Sequence, residues 1–137
     1  MPLFVDPSVL LVASGGENPW RDPCRAVLAA GAMGRARLHL SVEGGQEYLF
    51  HRLRRVEGAQ AVAEFEQLDR LAHWHDFDAD ILRTSADLVL RGHARGRDAV
   101  HAATALAAGF TTIVSGDADF DGIPGLVRRD PVIEVVA

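Results

Sequence analysis

A β-branched run, Thr111-Thr112-Ile113-Val114, is stopped at once by Ser115-Gly116, and acids follow at alternate positions: Asp117, Asp119 and Asp121. The run predicts a short buried strand. In an open α/β sheet the loop just past a strand's carboxyl end is where ligands sit. Three carboxylates crowded there repel one another unless solvent or a cation intervenes. The stretch is therefore either a turn formed by acids or one part of a divalent-metal site whose other ligands lie elsewhere in the chain.

Other segments supply the rest of a strand–helix alternation. Leu3-Phe4-Val5 predicts a first strand with Asp6 at its carboxyl end, and Pro7 ends it because proline cannot donate to a sheet ladder. A short helix follows over Pro7 to Ala13, broken by Ser14-Gly15-Gly16. Asp22-Pro23 predicts an N-cap and first helical residue for a helix running to Ala32, with Cys24, Val27 and Leu28 on one face. Arg37 to Leu40 reads as a second strand, with Ser41 capping a helix that carries Val42, Tyr48, Leu49, Leu53 and Val56. Ala59 to Ala72 has helical periodicity, and Trp74 to Phe77 alternates as a half-exposed strand does. Asp78 caps a helix with an Ile81, Leu82, Ala86, Val89, Leu90 stripe. Asp98 opens an alanine-rich helix that stops at Gly109, and Val132 to Val136 reads as a last edge strand. Strands alternating with helices imply parallel pairing and a helix-covered sheet, and 137 residues suit one domain.

Composition removes several chemistries. All fourteen basic residues are Arg, so there is no P-loop lysine, no Schiff-base lysine and no lysine to neutralise a phosphoryl group. A net charge of −5 gives no bulk attraction for nucleic acid, which would have to be held by metal ions and local Arg groups. Arg52, Arg54, Arg55, Arg91, Arg95 and Arg97 are the candidates for phosphate contact, against the plainer reading of a solvated basic face. Cys24 is the one cysteine, which rules out an internal disulfide. No apolar run reaches membrane-spanning length and the N-terminus lacks signal-peptide features, so a cytoplasmic location is expected. Ser8 and Ser115 have no matching base, which argues against a serine nucleophile.

Asp6 and Asp117, at the carboxyl ends of parallel strands, can share one rim of the sheet if their strands are neighbours. Asp98 or a helical Glu, Glu43 or Glu47, can lie alongside. Oxygen ligands without His or Cys favour Mg²⁺ or Mn²⁺ over zinc. Each acid also has a plain structural reading. Asp98 suits a helix start, Asp119 and Asp121 suit turns, and the glutamates suit a solvent-facing helix. Asp76, Asp78 and Asp80 are spaced like a metal loop but are explained by a strand end and a cap. His101, one turn beyond Asp98, either orients it or is a half-buried helix residue.

Together these positions resemble the PIN-domain ribonucleases, specifically VapC-type toxins of VapBC toxin–antitoxin pairs, over nearly the whole chain. The matching stretches are Phe4-Val5-Asp6-Pro7-Ser8, Ser41 to Glu47, Arg97-Asp98-Ala99-Val100-His101-Ala102-Ala103, and Ser115 to Asp121 followed by Ile123-Pro124-Gly125. The resemblance selects Glu47 over Glu43. It departs from the family at Pro7-Ser8, where Thr-Asn is usual. It implies a single PIN-like α/β domain over residues 1–137, with a central parallel sheet covered by helices on both faces. It further implies Mg²⁺-dependent RNA cleavage, with Mn²⁺ a possible substitute. Asp6, Glu47, Asp98 and Asp117 would be ligands and Asp119 an adjacent ligand or water-holder. A homodimer and a cognate VapB-type antitoxin are the implied partners. The rival readings are a catalytically silent binding module of the same fold and an acidic-pocket phosphoryl-transfer domain, which the absence of Lys disfavours.

Overall fold

In the computed structural model, which describes residues 1–132, there are five strands and six helices, with a pair of helices after each of the first three strands. The strands are β1 (Pro2–Phe4), β2 (Arg37–Ser41), β3 (Ala72–His75), β4 (Thr112–Val114) and β5 (Val127–Arg129). The helices are α1 (Pro7–Ser14), α2 (Arg21–Ala32), α3 (Val42–Leu53), α4 (Gly58–Leu71), α5 (Ala79–Leu90) and α6 (Gly96–Ala107). All strand pairings are parallel. β1, β2 and β3 form one ladder, with Leu3 opposite Leu38 and Leu40 opposite Trp74. β4 and β5 form another, with Ile113 opposite Arg128. A single parallel bridge, Val5 to Val114, joins the two, and the Asp6 amide donates to the Val114 carbonyl at 3.0 Å. The lateral order is thus β3-β2-β1-β4-β5.

Side chains alternate across β1 as strand geometry requires. Leu3 and Val5 enter a core with Val9 and Leu10 of α1, Val27 of α2, Leu38 and Leu40 of β2 and Tyr48 of α3. Phe4 enters the core on the other face, with Ile81 and Leu88 of α5, Ala102 and Ala103 of α6, Ile113 and Phe120. Helices therefore cover both faces. Ala99, Ala102, Ala103 and Ala105 of α6 are fully buried and let this helix lie close to the sheet. Cys24 is a buried free thiol. Among the described residues no helix is long and apolar enough to cross a membrane.

Several boundaries differ from the sequence expectation, each for a local reason. α2 begins at Arg21, before the expected Asp22-Pro23 start, because the Asn18 side chain accepts the Trp20 amide at 2.9 Å and turns the chain earlier. β3 is Ala72–His75 and not 74 to 77, since Asp78 turns the chain by accepting the Ile81 amide at 2.9 Å. The α5 face that enters the core is Ile81, Ser85 and Leu88, while Leu82, Val89 and Leu90 are exposed. Ser85 can face inward because its hydroxyl donates to the Ile81 carbonyl at 2.7 Å. β5, rich in Arg, was not foreseen. The expected edge strand over Val132 to Val136 lies, but for Val132, outside the described residues; Val132 itself is in a turn.

Candidate metal centre

The carboxyl ends of β1 and β4 meet at the bridge between the two ladders, and this junction brings the acids together. Asp6 directly follows the bridging Val5 at the end of β1 and is 3% exposed. Its Oδ2 accepts hydrogen bonds from the Ser8 hydroxyl and, at 2.9 Å, from the Ser115 hydroxyl. Ser8, where the family usually has Asn, thus keeps a polar contact to Asp6. Ser115 is fully buried, and its oxygen also accepts the Asp117 amide at 3.0 Å. One serine therefore ties the Asp6 carboxylate to the backbone that carries Asp117. The Asp117 side chain accepts the Asp119 amide at 2.9 Å and starts a 3-10 turn over Ala118–Phe120.

Asp98 approaches from α6. It is not the N-cap: Arg95 holds that position, the helix starts at Gly96, and Asp98 lies in the first turn. The helix dipole there favours a negative charge. One carboxylate oxygen from each of Asp98, Asp117 and Asp119 lies within 4.8 Å of the other two. Crowding shows in the proton affinities. Burial first, then the charges of Asp6 and Asp117, push the Asp98 carboxyl up to about 6, with His101 acting in the opposite direction. Burial also raises Asp6, opposed by Ser8, His101 and Ser115 and reinforced by Glu47.

Glu47 borders this group and is held by a hydrogen-bond chain. The Gly44 amide donates to Ser41 Oγ at 2.9 Å, and Ser41 Oγ lies 2.8 Å from His101 Nδ1. His101 Nε2 lies 3.2 Å from Glu47 Oε1. The Glu47 carboxylate can only accept, so the ring proton sits on Nε2 and points at it, and Nδ1 of the neutral ring accepts from the Ser41 hydroxyl. His101, 1% exposed, thus orients Glu47 and not Asp98. Arg97 Nε lies 3.5 Å from Glu43 and 3.7 Å from Glu47.

Of the remaining candidates, Asp121 pairs with Arg128 at 2.9 Å, which holds its carboxyl below the usual range. Asp78 caps α5 and Asp80 pairs with Arg83. Arg52, considered for phosphate contact, is buried and forked onto Glu64 at 3.0 and 3.3 Å, so it is structural. Arg91 pairs with Asp87 along its own helix. Arg54, Arg55 and Arg95 are exposed. Sequence reasoning weighed Ser115 only as a nucleophile. Its place immediately before Gly116-Asp117, at the end of the strand beside Asp6, was the available sign of its clamping position.

Comparison with known proteins bears on the family and the fold. A family model described as PIN domain matches residues 3–126. Ribonuclease VapC7 of Mycobacterium tuberculosis is 35% identical over 136 residues, covering 94% of this chain and 91% of that protein. A chain of VapBC-1 from nontypeable Haemophilus influenzae matches with a TM-score of 0.72 at 15% identity, over 96% of this chain and 98% of that one. Mycobacterium tuberculosis VapC20, a Sarcin-Ricin loop cleaving toxin, matches with a TM-score of 0.69 at 19% identity, over 86% and 92% of the two chains. At such identities the two structures speak to the fold alone, while the family model and the VapC7 relative speak to descent. The chain belongs to the PIN-domain family, in its VapC group.

Proposed function

We propose that this protein is a divalent-metal-dependent endoribonuclease and the toxin of a type II toxin–antitoxin pair. The observation that carries the reading is the convergence of Asp98, Asp117 and Asp119, from two separate segments, with the Asp98 carboxyl pushed to about 6. A group of acids whose mutual repulsion is left uncompensated suits a hard cation, and its all-oxygen donor set suits Mg²⁺, with Mn²⁺ as a substitute. Asp98 and Asp117 would hold the ion, with Asp6 and Glu47 completing the ligand set directly or through water, and Asp119 ligating or holding water. Bound there, the ion supplies Lewis acidity for phosphodiester hydrolysis, in which water adds across a P–O bond. The chain's own residues prepare the site. Ser8 and Ser115 fix the Asp6 carboxylate, Ser115 fixes the loop bearing Asp117, and His101 fixes Glu47.

RNA is proposed as substrate because the VapC7 relative is a ribonuclease. A VapB-type antitoxin, a homodimer and a cytoplasmic location follow from the same kinship. An arginine offered by the antitoxin would match the charge of the acidic group.

The test is cleavage of single-stranded RNA with Mg²⁺, with EDTA, and by Asp98→Asn and Asp117→Asn. Cleavage should need the ion and fall at least about 100-fold in either variant, since loss of even an outer partner of a metal site costs about 10–100-fold. Undiminished cleavage by both variants would refute the assignment.

A further inference from the structure

A second group of potential ligands lies on the sheet face that α6 covers, away from the acids. His39 of β2 is the register partner of both Phe4 of β1 and His73 of β3. Side chains two apart on a strand share a face, which adds His75. His39 Nδ1 and His75 Nε2 are 2.8 Å apart. The His39 and His73 rings stack with centroids 4.8 Å apart and planes 20° from parallel. Phe110 stands 5.1 Å from the His39 ring and edge-on to His75 at 6.3 Å, and Phe4 is 6.0 Å from His75. Three imidazoles thus meet against an aromatic wall, and the reaction proposed above uses none of them.

We propose that His39, His73 and His75 form a second metal site, for a borderline divalent transition ion of the Zn²⁺ type. The close His39–His75 pair already has one ring's lone pair facing the other ring's nitrogen. With each ring proton on its far nitrogen, both rings must swing outward for the two donors to reach a common ion, because Zn–N bonds of about 2.0–2.1 Å at tetrahedral angles set the nitrogens about 3.3 Å apart. His73 is exposed, and its ring must turn out of the stack to add the third nitrogen. Three imidazoles and an open fourth position make a complete zinc ligand set. Nitrogen donors of this kind select Zn²⁺, Ni²⁺ or Cu²⁺ over Mg²⁺, so the two sites should sort ions by donor chemistry. Such an ion would tie β2 to the outer strand β3. The proposal does not depend on the nuclease reading.

The experiment is calorimetric titration of the full chain with Zn²⁺, paired with the visible spectrum of the Co²⁺-loaded protein. Asp98→Asn, His73→Gln and His75→Gln are titrated alongside. One equivalent of Zn²⁺ should bind to the unaltered chain and to Asp98→Asn alike. Affinity should fall at least about tenfold in each histidine variant. His73→Gln changes an exposed side chain and should keep the unaltered melting temperature, which separates lost ligation from lost folding. A tetrahedral Co²⁺ spectrum that His75→Gln abolishes would support the site. Zn²⁺ binding that disappears in Asp98→Asn and persists in the histidine variants would overturn it, as would no binding at all.

Discussion

At the scale of single residues, Asp98 links electrostatics to a measurable property of the metal-free protein. Its carboxyl, pushed up to about 6, titrates well above the value of about 3.9 for an unfolded chain. Between those values the folded state binds more protons, so stability falls as pH rises through the window, and the penalty is complete above it. Asp6, raised by burial, adds to this trend, and His39, held low by burial, opposes it. Both remain in Asp98→Asn, so the difference between the two chains reports Asp98 together with the repulsion it shares with Asp6 and Asp117. The metal-free variant should melt higher than the unaltered chain at roughly pH 7.5, with the gap closing toward roughly pH 5. Thermal melts in EDTA across that range check it, and a constant gap would place the titration elsewhere. His101 gives a second prediction. His101→Ala strands Ser41 and removes the partner that orients Glu47, so denaturant melts should show a loss of about 1–3 kcal/mol. The sequence placed Asp6, Asp98 and Asp117 at element ends because strand and helix signals are local. It could not show that His101 reaches a glutamate 54 positions away, because that contact exists only once α3 and α6 pack.

At the scale of elements, glycines separate close packing from free surface. A Cβ on Gly45 would stand 2.6 Å from the Trp74 ring, which is pinned by stacking on Phe65 and by its 2.7 Å bond to Asp69. Gly45→Ala should therefore cost about 1–3 kcal/mol by forcing α3 off β3. Gly58 opens α4 with nothing near its missing Cβ and an ordinary helical backbone. Gly58→Ala should stabilise by about 0.4–1 kcal/mol through the unfolded chain. Urea midpoints at unchanged m-value distinguish the two signs. Ser41 and Asp78 were legible as caps, because an N-cap depends on one side chain and its own next turn. The inward face of α5 was not. Of its expected stripe Ile81 points inward while Leu82, Val89 and Leu90 point outward, and Ser85 enters the core by bonding to its own helix. β5 escaped notice because Arg128 at its centre is neutralised by Asp121 and Asp130, acids that lie outside the strand.

At the scale of the molecule, the alternating pattern gave the parallel, helix-covered sheet, but the lateral order came only from packing. That order sets the acids where two ladders meet. If the acids hold an ion, saturating Mn²⁺ should raise the melting temperature, by about 2.7 kcal/mol of added stability at a hundredfold excess over the dissociation constant. Asp117→Asn should abolish the rise. Along the meeting line the backbones share one bridge, Val5 to Val114, and the bond from the Asp6 amide to the Val114 carbonyl is part of it. Asp6 stands on one bank of this seam and Asp117 on the other, so a cation gripped from both sides would work as a rivet. Deuterium uptake at the Asp6 amide should slow when Mg²⁺ is added, while amides in the middle of β2 stay indifferent. The ion would then add a polar tie at the rim of a seam that Val5 with Val114, and Phe4 with Ile113, already close by packing.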